Sequence, residues 1–224
     1  WTTAGTDIFA GCIKLKSIIV PEGVTALPNY VFYGADCLTE VILPSTLQTI
    51  GNYAFYECDK LKSLEFPFGF KKINNSAFGY CTGLTYVSLP GTLEKIFEYA
   101  FYHCSSISDL WIPESVEYIG RYAFCGCRSI KEVRIPFGIT AIEEGLFWHC
   151  ENLERIVIPE SVKILESNAF NECFMLSEIR LPSGITSIGK YAFSWCGIVN
   201  GLYVPSCVDS IGVRAFNYIN NVVY

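Results

Sequence analysis

The sequence predicts a β-rich repeat solenoid, in which short strands of successive repeats stack into parallel sheets. Three observations predict it: nine prolines recur every 23 residues, two aliphatic columns precede each proline, and a phenylalanine column follows it. Periods of this length are typical of solenoids, because each unit buries its apolar face only against its neighbours. We therefore expect residues 1–224 to form a single array of about nine to ten repeats.

The proline column is the most regular of the three. Proline lacks the N–H group that a doubly paired strand must donate, so each proline should mark the end of a strand. A small residue two positions later, such as Gly23 or Thr46, predicts a turn with proline at its second position. The column consists of Pro21, Pro44, Pro67, Pro90, Pro113, Pro136, Pro159, Pro182 and Pro205.

The aliphatic columns predict two strands in each repeat. In the first repeat Ile18 and Val20 lie two residues apart before the proline, which is the spacing of a strand. A second aliphatic pair after the turn, such as Val24 with Leu27, predicts a shorter second strand. Side chains that alternate with the core columns should face the concave side of a curved parallel β-sheet.

A phenylalanine column follows the second strand and predicts a buried aromatic spine. An alanine precedes most of these phenylalanines, and we interpret the Ala-Phe segment as a short helical turn on the other side of the solenoid. The column consists of Phe9, Phe32, Phe55, Phe78, Phe101, Phe124, Phe147, Phe170, Phe193 and Phe216.

The motif L-x-x-I-x-I-P-x-x-V-x-x-I-x-x-x-A-F-x-x-C, legible at residues 107–127 and 153–173, resembles the BspA-like leucine-rich repeats. The resemblance covers essentially the whole chain and implies a right-handed leucine-rich repeat superhelix. It also implies an extracellular or cell-surface location and adhesion to host proteins. The columns run from Trp1 to Val222 without a polar capping unit, so we expect an excerpt of a longer array, or an array that associates end to end.

Eight of the eleven cysteines share one column, three residues after the phenylalanine, and no C-x-x-C pair with zinc-site spacing exists. We interpret this column as small buried residues whose weak S–H donors bind the backbone. Disulfides between neighbouring repeats are an open alternative, although parallel side chains suit them poorly. Cys37, Cys125 and Cys207 lie outside the column and are the candidates for exposed, reactive thiols.

Composition and motifs argue against several function classes. A net charge of -6 gives no basic field for nucleic acid, and no apolar run is long enough to span a membrane. His103 and His149 lie two repeats apart, so we expect no shared metal. The segment 184–190 reads G-x-x-x-x-G-K, but Tyr191 follows where a phosphate-binding loop needs Ser or Thr. We therefore predict no cofactor, no metal and no enzymatic activity.

The exposed positions of the main strand are the predicted binding site. The residues four and two positions before each proline vary while the core columns do not, and they include aromatic and Arg side chains typical of interface hot spots. The predicted site consists of Tyr86, Asp109, Trp111, Glu132, Arg134, Arg155, Arg180 and Tyr203. As an alternative, Glu132, Arg155 and Glu178 alternate in sign and pair across strands.

Tyrosines beside the phenylalanine column form a rival surface, which either covers the spine or binds carbohydrate, protein or a second solenoid. We expect a non-enzymatic protein-binding module for cell-surface adhesion or ligand recognition, whose ligand is a host surface or matrix protein. The alternative is a structural or scaffolding rod that self-associates end to end or laterally, or that organises other proteins.

Overall fold

The chain forms a parallel-strand β-solenoid of about nine turns, and the fold predicted from the repeat is confirmed. The computed structural model describes residues 6–198, 201–219 and 221–223, so Trp1 lies outside the described residues. Each regular repeat has a three-residue main strand before the proline and a two-residue second strand after it.

The main strands are β1 (Ser17–Ile19), β3 (Glu40–Ile42), β5 (Ser63–Glu65), β7 (Tyr86–Ser88), β10 (Glu132–Arg134), β12 (Arg155–Val157), β15 (Leu202–Tyr203) and β17 (Val222–Val223). The second strands are β2 (Ala26–Leu27), β4 (Thr49–Ile50), β6 (Lys72–Ile73), β8 (Lys95–Ile96), β9 (Tyr118–Ile119), β11 (Ala141–Ile142), β13 (Ile164–Leu165), β14 (Ser187–Ile188) and β16 (Ser210–Ile211).

The two sets of strands differ in continuity. The second strands form a five-stranded sheet, β2-β4-β6-β8-β9, and a four-stranded sheet, β11-β13-β14-β16. The main strands form only the pairs β1-β3, β5-β7, β10-β12 and β15-β17. Between them the ladder opens, and Asp109 keeps a single bridge to Tyr86. In β17, Val222 pairs with Leu202, fewer than 23 residues away, so the expected register of the last strand is wrong.

Each main strand ends before its proline, as predicted. The Val20 N–H still donates to the Ile42 carbonyl at 2.9 Å, and the turn then closes from the Val24 N–H to the Pro21 carbonyl at 3.4 Å. Proline is therefore the first residue of the turn and not the second, because the residue before it remains part of the strand ladder.

The phenylalanine spine is confirmed. The rings from Phe32 to Phe193 are fully buried, and successive rings stack at centroid distances between 5.1 and 6.1 Å. Each buried ring contributes about 1.5–3 kcal/mol of transfer free energy. The spine is thus a continuous aromatic core that links every described repeat to the next.

The predicted helical turns are wrong, since the described residues contain no helix. Tyr53 and Glu57, two residues before and after Phe55, have left-handed φ angles of 55° and 61°, which interrupt any right-handed helix. The N–H groups of Tyr53, Phe55 and Glu57 instead donate to carbonyls of the next repeat at 3.0, 2.7 and 2.8 Å. Bonds between repeats therefore replace those within a helix.

The cysteine column packs as predicted, and all eleven cysteines are free. Within the column, each of the seven thiols from Cys58 to Cys196 donates to a spine phenylalanine carbonyl at 2.9–3.2 Å. The expectation of an exposed Cys125 is wrong: the residue is buried, and burial raises its pKa to about 12. Cys37 and Cys207 are half-buried, and the Cys207 thiol donates to two backbone carbonyls.

Candidate functional site

The main-strand face is the surface formed by the residues four and two positions before each proline. All eight predicted site residues lie on it and are exposed. Trp111 exposes 61% of its surface, Tyr203 64% and Tyr86 49%. Exposed aromatic side chains gathered on one face of a protein are typical of an interaction surface.

Trp111 borders a groove of about 510 Å³ at one opening of the main-strand ladder. Asp109 and Glu132 line the same groove, together with Lys131. The structure therefore brings together three predicted site residues from two successive repeats. The groove combines an indole surface, two carboxylates and a cation.

Arg180 and Tyr203 line a second groove of about 670 Å³ on the same face. Glu178 and Cys207 also line it, so this groove carries both charge signs and an aromatic ring. Residues 178–180 form no strand, although the equivalent residues of the preceding repeat form β12. The groove thus lies at another opening of the ladder.

The remaining charges of the predicted site pair with neighbours. Arg155 forms an ion pair with Glu132 of the preceding repeat, as the alternative interpretation predicts. Arg134 lies 3.6 Å from a Glu114 carboxylate oxygen, and its guanidinium lies 5.6 Å from the Phe137 ring centroid. These side chains are more than half exposed, apart from Glu114 at 50%, so their pairing adds little stability.

Sequence reasoning left three apolar residues out of the site. Ile19, Ile42 and Val157 expose 70%, 49% and 58% of their surfaces in the same column as Trp111 and Tyr203. The signal that could have identified them as part of the site is their common position in the sequence, two residues before a proline. The main-strand face is therefore more apolar than the predicted residue set.

Both histidines have local roles on the opposite side of the solenoid. His103 stacks on Tyr80 at 5.2 Å, and burial, with a smaller contribution from Arg128, lowers its pKa. His149 Nδ1 lies 3.0 Å from a Glu172 carboxylate oxygen, without good hydrogen-bond alignment. In the described part of the chain, no three His, Cys, Asp or Glu side chains are grouped as metal ligands.

The second glycine of the G-x-x-x-x-G-K segment, Gly189, has a packing explanation. A Cβ atom on Gly189 would lie 2.4 Å from the Glu166 carbonyl carbon, so the close approach of two repeats requires glycine there. The Lys190 ammonium lies 5.1 Å from the Tyr191 ring centroid. Within the described ranges, no helix is both long and apolar enough to cross a bilayer.

Comparison with known proteins places the chain in a family. Residues 2–113 and 94–223 match the model of the BspA type leucine-rich repeat region, in 6 copies. A search of curated protein sequences finds no significant match. Among solved structures, a leucine-rich repeat protein from Bacteroides ovatus ATCC 8483 is 29% identical, with a TM-score of 0.84 over 91% of this chain and 55% of that one.

Two further bacterial structures are similar. The T. pallidum leucine-rich repeat protein is 33% identical, with a TM-score of 0.66 over 77% of this chain and 79% of that one. A leucine-rich cell surface protein from Faecalibacterium prausnitzii A2-165 is 23% identical, with a TM-score of 0.53 over 88% and 69%. The chain spans about half the length of the B. ovatus protein, 55%. Because the family model matches nearly its whole length, the chain belongs to the BspA-type leucine-rich repeat family.

Proposed function

We propose that residues 1–224 act as one non-enzymatic array that binds a protein partner through the main-strand face, with Trp111 at its centre. The observation that carries the proposal is the recurrence of exposed apolar side chains in the column two residues before each proline. They are Ile19, Ile42, Trp111, Val157 and Tyr203, and the other positions of the column hold Glu65, Ser88, Arg134 and Arg180. A repeated apolar column in an otherwise polar sheet surface is the composition of an interface core.

The surroundings of the column support the same function. Asp109 and Glu132 flank the Trp111 groove, and Arg180 lies beside Tyr203. Aromatic and Arg side chains dominate the binding energy of protein interfaces, and a polar rim around them excludes water. The BspA-type repeat is also suggestive of a protein-interaction module.

For location, we propose the cell surface, with a host surface or matrix protein as the ligand. This rests on the family, in which adhesion is the expected role. The F. prausnitzii protein is described as a cell surface protein, although at 23% identity it establishes a common fold only.

The protein-binding proposal is tested with two tryptophan variants on opposite faces. Trp111→Ala and Trp195→Ala both remove an exposed indole, 61% and 46% exposed. Binding to immobilised purified matrix proteins, measured by surface plasmon resonance, should weaken roughly thirtyfold in Trp111→Ala, the effect of a hot spot. Trp195→Ala should bind as the parent protein does. Unchanged binding by Trp111→Ala would contradict the proposed site.

A self-associating rod is the second candidate, because two copies could bury the same apolar column against each other. Sedimentation at increasing protein concentration distinguishes the two functions. Formation of dimers or longer assemblies, abolished by Trp111→Ala, supports the rod. A chain that stays monomeric at every concentration contradicts the rod.

A further inference from the structure

The turn face, on the other side of the solenoid, carries a groove of about 580 Å³ in its C-terminal half. We define the turn face as the residues two before, one after and two after each spine phenylalanine. Trp148 and Trp195 line the groove from positions two repeats apart. Asn171, in the repeat between them, and Ser194, in the repeat of Trp195, line it as well. Adjacent repeats are about 5 Å apart, so the two indoles are separated by roughly 10 Å along the array.

The groove exists because small polar residues replace tyrosine. In the column directly after the phenylalanine, the N-terminal repeats carry Tyr33, Tyr56 and Tyr102. The C-terminal repeats carry Asn171, Ser194 and Asn217 in that column. The loss of three phenol rings leaves space that the flanking aromatic side chains do not fill.

Asn171 lies largely buried beneath this groove. The residue is only 9% exposed, and its Nδ2 group donates to Asn168 Oδ1 at 3.2 Å. Its Oδ1 atom has no hydrogen-bond partner among the described residues. This oxygen is inaccessible from the groove, so the polar atoms that can meet a ligand belong to partly exposed lining residues such as Asn168 and Asn217.

The aromatic groups at the groove offer ring surface beside polar atoms. Trp195 is 46% exposed and stacks on Tyr218, itself 61% exposed, at a centroid distance of 3.6 Å. The Trp148 Nε1 group donates to a Glu172 carboxylate oxygen at 3.4 Å, which holds the indole in place. An indole surface packs against the C–H groups of a sugar ring, while amides and carboxylates bind its hydroxyl groups.

The charges at the groove favour an uncharged ligand. Two carboxylates, Glu144 and Glu172, are balanced by two cations, Lys190 and Arg214. Side-chain amides and hydroxyls of Ser167, Asn168, Asn171, Ser194 and Asn217 supply the rest of the polar lining. Such a site has neither the single-sign field that a charged ligand requires nor the wholly apolar lining of a hydrophobic groove.

From this geometry we propose that the groove between Trp148 and Trp195 binds a neutral oligosaccharide. The two indoles act as stacking surfaces, and the partly exposed side-chain amides of Asn168 and Asn217 bind sugar hydroxyl groups. The span between the indoles is comparable with that of a short oligosaccharide, so one chain can contact both. This site is separate from the main-strand face and requires no protein partner.

The first test is isothermal titration of the purified chain with four defined sugars: cellohexaose, laminarihexaose, mannohexaose and chitohexaose. At least one of them should bind with a Kd in the millimolar to micromolar range. Absence of binding by all four overturns the proposal.

The second test uses variants that close or strip the groove. Asn171→Tyr restores the residue type that Tyr56 provides in the closed half, so the variant should fold while the groove is filled. Trp195→Ala removes a half-exposed stacking surface and keeps the core intact. Each should weaken sugar binding about tenfold or more, whereas Trp111→Ala, on the opposite face, should leave it unchanged.

Thermal denaturation establishes whether each variant is folded. If Asn171→Tyr does not fold, sugar binding by Trp195→Ala decides the test. Sugar binding that survives in folded Trp195→Ala overturns the proposal. The proposal is also overturned if no sugar binds and the groove variants lose binding to a protein. The groove would then belong to a protein interface.

Discussion

The N-terminal and C-terminal halves of the turn face share a backbone but differ in surface. In the N-terminal half, tyrosines of successive repeats stack nearly parallel, as in Tyr30 on Tyr53 at 5.1 Å and 2° and Tyr33 on Tyr56 at 5.2 Å and 3°. In the C-terminal half, Asn171, Ser194 and Asn217 occupy the column of Tyr33 and Tyr56, and a groove of about 580 Å³ opens.

The backbone does not account for the difference. Tyr53 and Asn168 occupy the same column, with left-handed φ angles of 55° and 58°. The spine beneath is equally buried on both sides, with Phe55 and Phe170 fully inaccessible. The comparison therefore places the difference in the side chains of the turn face and not in the scaffold beneath them.

Removing a spine ring should have the largest effect and should be equal in the two halves. Phe101→Ala and Phe170→Ala each delete a fully buried ring stacked between two others, and each should cost about 3–5 kcal/mol of unfolding free energy. Urea denaturation of both variants measures this. A much smaller loss in the C-terminal half would mean that the groove loosens the spine beneath it.

Removing a cover side chain should separate the halves. The Tyr56 ring contacts Tyr33, Tyr53 and Tyr80, so Tyr56→Ala should lose about 2 kcal/mol. Asn171→Ala deletes one amide hydrogen bond and the unsatisfied oxygen, and should change the unfolding free energy by less than about 1 kcal/mol. Equal losses would contradict a sealing role for the tyrosines.

Alkaline pH should weaken the sealed half modestly. Burial, followed by the neighbouring Tyr80 and Glu57, raises the pKa of Tyr56 to about 12, and burial with Cys125 and Tyr80 raises that of Tyr102 to about 12. A phenol whose folded pKa is raised stabilises fully below about pH 10, and this stabilisation is lost as the pH rises from about 10 to 12.

The control for this pH dependence is the double variant Tyr56→Phe with Tyr102→Phe. Its Tm should fall less than that of the parent chain between pH 10 and 12, because it lacks the two titrating phenols. Both proteins keep the same cysteines, so thiol titration affects them equally. Superimposable Tm profiles would show that the two phenols do not contribute.

Repetition made the scaffold predictable from the sequence, whereas the local backbone conformation could not be predicted. Prolines, spine phenylalanines and the cysteine column recur, and each recurrence constrains the same contact. The helical turns were wrong because left-handed residues such as Glu57 and His103 carry no distinctive residue type; glycine fills the same column at Gly34 and Gly126. Cys125 was expected to be exposed because it lies outside the cysteine column, but that position says nothing of how its neighbours pack around it.

The candidate sites were predicted unequally. Trp111 was identified because its column varies, and alternation along a strand gives the direction of its side chain. The groove beside Trp111 was not predicted, because openings in a strand ladder depend on hydrogen bonds between repeats. The groove of the turn face is marked in the sequence only by what is missing, namely tyrosine at Asn171, Ser194 and Asn217.

Apart from β15 and β17, every described pair of strands joins residues 23 apart, so each repeat contacts only its neighbours. An insertion of one residue therefore shifts all columns of its repeat at once, whereas duplication or excision of 23 residues preserves every type of contact. Change in such a chain is expected to proceed in whole units. Recombination between repeats can lengthen the array, or move a groove along it, without redesigning the core.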